Sequence, residues 1–210
     1  MQTLHNPFWW LPGDSIKWPS DDEKLCLVND WVKDVDNVCK FVDNFGAVIQ
    51  AGGACGIWPA RLASYFKFVY TFEPHPDNFA CLVENTSPFK NVFTHRAGLG
   101  KECGTGSLKR DAFEDHNAGA WYMVDGDEFQ VFTIDMFATY EVGLIMLDVE
   151  GAELDVLKGG EKTILKSNPV VCIEQKQLPH MKTTATAAGE YLKSLGYELV
   201  AQFHNDYVYK

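Results

Sequence analysis

Ala47-Val48-Ile49-Gln50-Ala51-Gly52-Gly53-Ala54-Cys55-Gly56 is an apolar run that breaks into a glycine-rich turn, and its pattern recurs twice further along the chain. Phe68-Val69-Tyr70-Thr71-Phe72 runs into Glu73-Pro74, and Leu144-Ile145-Met146-Leu147 runs into Asp148-Val149-Glu150-Gly151-Ala152-Glu153. Each reads as a buried strand that ends in small, polar or acidic residues and then opens a helix. In a parallel α/β sheet such ends lie side by side at the carboxyl edge, where ligands bind. Glycines there let backbone approach a ligand closely. Glu73 follows Gly52 by 21 positions, close to the spacing at which an acid reaches a pair of ribose hydroxyls. The three ends together predict a site for an adenosine-type cofactor.

The rest of the core alternates in the same way. The pattern predicts strands at about 46–51, 68–73, 91–96, 143–148 and 170–174. Helices are predicted from Ile57 to Phe66, from Pro76 to Asn85, along a stripe of Leu154, Leu157, Ile164 and Leu165, and up to Leu195 with Gly196 as its C-terminal cap. Tyr197–Gln202 and Asp206–Tyr209 read as a short antiparallel hairpin. Repeated β-then-α implies a mostly parallel, doubly wound sheet with helices on both faces. Before the first strand, Ser20-Asp21-Asp22-Glu23 fits a capping box. Leu25, Val28, Trp31, Val32, Val35, Val38 and Val42 then recur at helical spacing, so this helix is expected to pack one stripe on the sheet.

Two stretches break the rhythm. Residues 1–19 hold Phe8-Trp9-Trp10 and Trp18 between prolines, and read either as a strap packed on the core or as a lid over a ligand. Residues 101–135 form an insertion rich in Gly, Asp and aromatic residues; insertions of this length in a compact domain usually serve an active site or an interface. The division expected is an N-terminal strap and helix over 1–45, followed by one α/β domain over 46–210.

Composition narrows the partners. The chain has 210 residues, 46% hydrophobic and 22% charged, as in a globular protein with a sizeable core. Its net charge of −11 disfavours phosphate backbones and anionic lipid surfaces. The expectations are no nucleic acid and no membrane partner. The six cysteines form no Cys-x-x-Cys pair and no cluster with His at metal spacing, so no metal is expected. No signal peptide or membrane-spanning run is read, which makes the cytoplasm the expected compartment.

The glycine turn alone is ambiguous. A nicotinamide fingerprint would use Gly53 and Gly56 but meets Ala51 at its first glycine. A methyltransferase loop would use Gln50, Gly52 and Gly56. Either yields a cradle at a helix N-terminus for a pyrophosphate or a carboxylate. Glu73 is read as the ribose acceptor, with Pro74 beside it and His75 as a loop residue outside the chemistry.

The segment Asp148-Val149-Glu150-Gly151-Ala152-Glu153 brings a resemblance into view. With Gly52–Gly56, Phe72–Phe79, Asn85, Asn117-Ala118-Gly119, Thr133-Ile134-Asp135, Val156–Gly159 and Leu195-Gly196-Tyr197, it makes the chain resemble the FkbM family of S-adenosylmethionine-dependent methyltransferases over about 70% of its length, from Ala47 to Tyr197. The resemblance implies a class I, Rossmann-like methyltransferase fold with an antiparallel terminal strand. It implies S-adenosylmethionine as cofactor, held by Gln50, Gly52, Gly53, Ala54, Gly56, Glu73, Pro74 and Asp148. It implies methyl transfer to a hydroxyl of a sugar or other small metabolite. The chain departs from the family at Gln50, where an Asp is usual; a neutral amide can still accept from the cofactor's ammonium, without charge assistance.

A hydroxyl nucleophile benefits from a base. Asp148 and Glu150 share one face only if the strand stays extended. Gly151 turns the chain, so the reading places Asp148 nearer the cofactor and Glu150 nearer the acceptor, as candidate base. Glu150 could instead cap the helix after it. Glu174 ends the next strand as a candidate substrate ligand, and His116 and His180 are weaker base candidates. A nicotinamide-dependent oxidoreductase and a non-catalytic binding module on the same sheet are the competing readings.

Overall fold

Neighbouring residues of the central strands leave the sheet in opposite directions into two separate cores. The computed structural model describes residues 21–110, 120–137 and 140–210. Expectations for residues 1–19, Ser20, His116 and Asn117-Ala118-Gly119 therefore lie outside the described residues. Strands β1 (Ala47–Ala51), β8 (Val142–Leu147) and β9 (Val170–Glu174) are built almost wholly from buried apolar residues, and β2 (Phe68–Phe72) buries Val69, Thr71 and Phe72. Such continuous runs suit a sheet covered on both faces.

On one face, Val48, Val69, Leu144, Met146 and Cys172 pack against Val35, Val38 and Val42 of the α1 segment and Leu62 of α2. Helix α1 spans Asp21–Cys39 and α2 spans Ile57–Leu62. Arg61 clamps the two helices, donating from Nε and Nη2 to the two Asp36 carboxylate oxygens at 2.6 and 2.9 Å. On the other face, Ile49, Phe72, Ile145, Leu147 and Ile173 pack against α4 (Glu153–Lys158), α5 (Glu161–Ser167) and α6 (Ala187–Ser194). Helix α3 (Pro76–Thr86) follows β2.

The main sheet has seven strands, ordered β10-β11-β9-β8-β1-β2-β3, with β3 at Val92–His95, β10 at Leu199–Phe203 and β11 at Asp206–Tyr209. β11 runs antiparallel to both its neighbours, and the strands from β9 to β3 are parallel. The doubly wound sheet with an antiparallel strand near its terminus is thus present. β1 lies between β2 and β8 in register Ala51↔Phe72 and Ala51↔Leu147, which sets the three strand ends side by side.

Three expectations need correction, and the insertion gains a structure. The helix predicted to run from Ile57 to Phe66 stops at Leu62, and a turn completes it. The strand predicted to reach Arg96 stops at His95; Ala97–Leu99 is β4, which joins a second sheet. The 101–135 insertion is built of strands β5 (Gly104–Arg110), β6 (Trp121–Asp125) and β7 (Phe129–Phe132), and that sheet is ordered β4-β7-β5-β6. The stripe from Leu154 to Leu165 is two helices, broken at Gly159-Gly160. A Cβ on Gly159 would stand 2.0 Å from the Gly100 carbonyl oxygen, so the break lets the end of β4 come close. The restart changes the helical phase: Ile164 faces inward, and Leu165 is 62% exposed.

Truncating the two leucines should separate core from surface. Leu144→Ala is expected to cost about 2–5 kcal/mol of stability, and Leu165→Ala less than about 0.5 kcal/mol. Urea denaturation of both variants measures the difference.

Candidate active site at the carboxyl edge

The turn after β1 is closed by contacts that only its sequence permits. Gly52 adopts φ +81°, and a Cβ there would stand 1.8 Å from the Asp148 carbonyl oxygen. Asp148 in turn donates its amide to the Ala51 carbonyl at 3.1 Å. The Gly52 and Gly53 amides both donate to the Phe72 carbonyl, at 3.1 and 2.9 Å. Ala54, with φ +43°, donates to Glu73 Oε2 at 2.8 Å. Asn85 Nδ2 reaches across from α3 to the Cys55 carbonyl at 2.6 Å, which gives that motif residue a structural task.

Gln50 is fully buried. Its Nε2 donates to the Ala51 and Gly52 carbonyls at 3.1 and 2.9 Å, and its Oε1 accepts from the Thr71 hydroxyl at 2.5 Å. The amide thus braces the turn through its own side chain.

Glu73 is 6% exposed. Its two oxygens each accept one backbone N–H, from Ala54 and from His75, both at 2.8 Å, and Asn78 adds a side-chain hydrogen bond. Burial nevertheless pushes its carboxyl up to about 7, against the lowering effect of these donors. Pro74 leads into α3, whose N-cap is His75. The His75 ring packs 4.6 Å from Trp121 of β6, and Arg110 lies 5.6 Å over the other ring of that pair, the indole. The inserted sheet therefore touches the edge beside Glu73, through His75.

The acids after β8 and β9 converge. One carboxylate oxygen from each of Asp148, Glu150 and Glu174 lies within 4.8 Å of the other two, and all three residues are half-buried. Burial, then the Glu150 charge, raises the Asp148 carboxyl; burial, then Asp148, raises that of Glu174. The chain does turn here, with φ +51° at Glu150 and +99° at Gly151, yet the turn keeps Glu150 beside Asp148. Three carboxylates are a donor set that suits a hard divalent cation.

Glu153 has the capping-like task considered for Glu150. It is 4% exposed, and its Oε1 accepts from the Val149 and Gly151 amides at 3.2 and 3.3 Å. Asp135, another motif residue, is structural: its Oδ1 accepts from the Thr163 amide and hydroxyl at 2.9 and 2.7 Å and anchors α5. The roles of Asn78, Glu153, Trp121 and Tyr122 went unread in the sequence. Only the acid pattern of the Asp148–Glu153 segment pointed to Glu153, and the two aromatics sit in a strand that was not recognised.

Comparison with known proteins identifies the domain in which these residues lie. The profile of the methyltransferase FkbM domain matches residues 59–199. The match starts after the glycine turn and includes Glu73, Asp148, Glu150 and Glu174. Among solved structures, methyltransferase FkbM from Methylobacillus flagellatus KT superposes with a TM-score of 0.57 at 20% identity, covering 78% of this chain and 43% of that one. Precorrin-6y C5,15-methyltransferase from Geobacter metallireducens GS-15 superposes with a TM-score of 0.52 at 13% identity, covering 86% of this chain and 87% of that one. At these identities the two structures speak for the fold. No curated protein matches the chain.

The raised Glu73 carboxyl has a consequence for stability. Its folded value lies above the ordinary value of 4.5, so the folded state holds the proton more tightly. The contribution is fully present below pH 4.5 and is lost as pH rises through about 7. At about 1.4 kcal/mol per unit, the loss comes to about 3.5 kcal/mol. Stability of the cofactor-free protein, measured by denaturation from pH 5 to 8, should therefore fall less steeply in Glu73→Gln than in the wild type.

Proposed function

Because the chain belongs to the FkbM methyltransferase family, we propose that it transfers a methyl group from S-adenosylmethionine to a hydroxyl of a sugar or other small metabolite. The observation that carries the reading is the meeting of three strand ends: a buried acid bound to the glycine turn, beside a group of three carboxylates.

The residues fit the cofactor. Each Glu73 oxygen keeps accepting capacity beyond its one backbone donor, and ribose hydroxyls supply donors that favour the ionised carboxylate. A pyrophosphate asks for open amides at the turn. Here the Gly52, Gly53 and Ala54 amides already have partners inside the protein, which favours S-adenosylmethionine over a dinucleotide. Gly52, Gly53, Ala54, Gly56 and Pro74 shape the wall on which the cofactor lies, and Gln50 supports that wall from within.

When bound, S-adenosylmethionine supplies a methyl group already activated by its sulfonium. The protein's part is alignment, exclusion of water and removal of the hydroxyl proton. Burial and like charge raise the carboxyls at Asp148 and Glu174, which favours their protonated forms near neutral pH beside the charged Glu150. Glu150, nearest the turn, is assigned as the proton acceptor, with Asp148 on the cofactor side and Glu174 on the acceptor side. A phosphorylated acceptor would meet only like charge or neutral carboxyls at these three groups, in line with a neutral small molecule or glycan as substrate.

The test is transfer of labelled methyl from S-adenosylmethionine to fractionated metabolites and glycans. Glu150→Gln should lower turnover about 100- to 10,000-fold, with S-adenosylhomocysteine affinity unchanged. Full turnover combined with a lowered melting temperature would remove Glu150 from the chemistry.

A further inference from the structure

The turn that carries Glu150 is held from two sides. From beneath, Glu153 Oε1 accepts the Val149 and Gly151 amides. On another atom of the turn, His180 Nε2 lies 2.8 Å from the Glu150 carbonyl oxygen. A carbonyl oxygen only accepts, so Nε2 carries the proton in this bond. The imidazole is stacked flat on Tyr122 of β6, with centroids 3.6 Å apart and planes 6° from parallel. Met181 sits where a Cβ on Gly151 would lie, with Cγ 2.8 Å away. The segment after β9 and the inserted sheet thus meet on one left-handed turn.

A non-glycine residue at φ +51° holds a sparsely populated conformation, which persists only where its surroundings fix it. Glu150 is that residue, and its carboxylate direction follows from its backbone. We infer that His180 is a positioning residue: by donating to the Glu150 carbonyl while braced on Tyr122, it holds the Glu150 carboxylate against those of Asp148 and Glu174. The inserted sheet then acts on the site through a bond to the main chain. Its importance for catalysis rests on the function proposed above; the clasp itself does not.

The experiment follows amide hydrogen exchange and the His180 ring nitrogens by NMR in the full-length protein. The wild type should show His180 as the Nε2–H tautomer and protected amides at Val149 and Gly151. His180→Ala should raise exchange at those two amides roughly fivefold to tenfold, the effect of losing about one hydrogen bond, while β8 and β9 keep their protection. His180→Gln carries an amide donor at similar reach and should restore protection. Should His180→Ala fail to fold, Tyr122→Leu removes the brace and leaves both bonded groups, and a smaller rise at the same amides is expected. Unchanged exchange in a folded variant, an equal rise throughout β8 and β9, failure of the Gln rescue or an Nδ1–H tautomer would each overturn the inference. None of these readouts uses S-adenosylmethionine. A protein that fails to bind S-adenosylhomocysteine would defeat the methyl-transfer reading and leave the clasp to be judged separately.

Discussion

The site depends on one close approach, that of Gly52 to the carbonyl of Asp148. β1 lies between β2 and β8, and the turn after it can cross toward β8 only if no Cβ intervenes. Once that contact is made, Glu73 binds the turn from the β2 side and the three carboxylates gather on the β8 and β9 side. The carboxyl edge becomes a site because backbone, rather than side chains, occupies the crossing point. The crossovers on the two sides of β1 leave the sheet by different faces, which is where open α/β sheets bind ligands.

Much of this was readable in the chain because it is local. Runs such as Leu144–Leu147 need no partner to identify them as doubly buried strands, and the acids that end them are fixed by position. The second sheet was not readable. β4 has only three residues and pairs with a strand some thirty residues later, and Gly98 and Gly106 lie on a partner aromatic, Phe129, rather than marking turns. The Leu165 error has the same origin: an unbroken helical period was assumed across Gly159-Gly160, where tertiary contact with Gly100 and Ile134 imposes a break.

Residue type also located site groups without giving their tasks. Gln50 stands at the glycine turn as expected and Asn85 reaches it from α3, and both brace backbone carbonyls. Glu153 completes the turn that Glu150 was considered for, because a buried side-chain oxygen two to four residues later reaches the free amides. Among the described residues, Glu73, Asp148 and Glu174 have carboxyls raised first by burial. The edge is thus set to receive hydrogen-bond donors and protons.

The central claim is that this edge holds S-adenosylmethionine through the ionised Glu73 carboxylate. Calorimetric titration with S-adenosylhomocysteine and with NAD, at pH 6 and pH 8, tests it most directly. The account predicts that S-adenosylhomocysteine binds and NAD does not. It predicts affinity rising by up to about tenfold between the two pH values, as a carboxyl near 7 ionises. It also predicts a loss of about 10- to 100-fold in Glu73→Ala. Binding of NAD without S-adenosylhomocysteine, or an affinity that ignores both pH and Glu73→Ala, would contradict it.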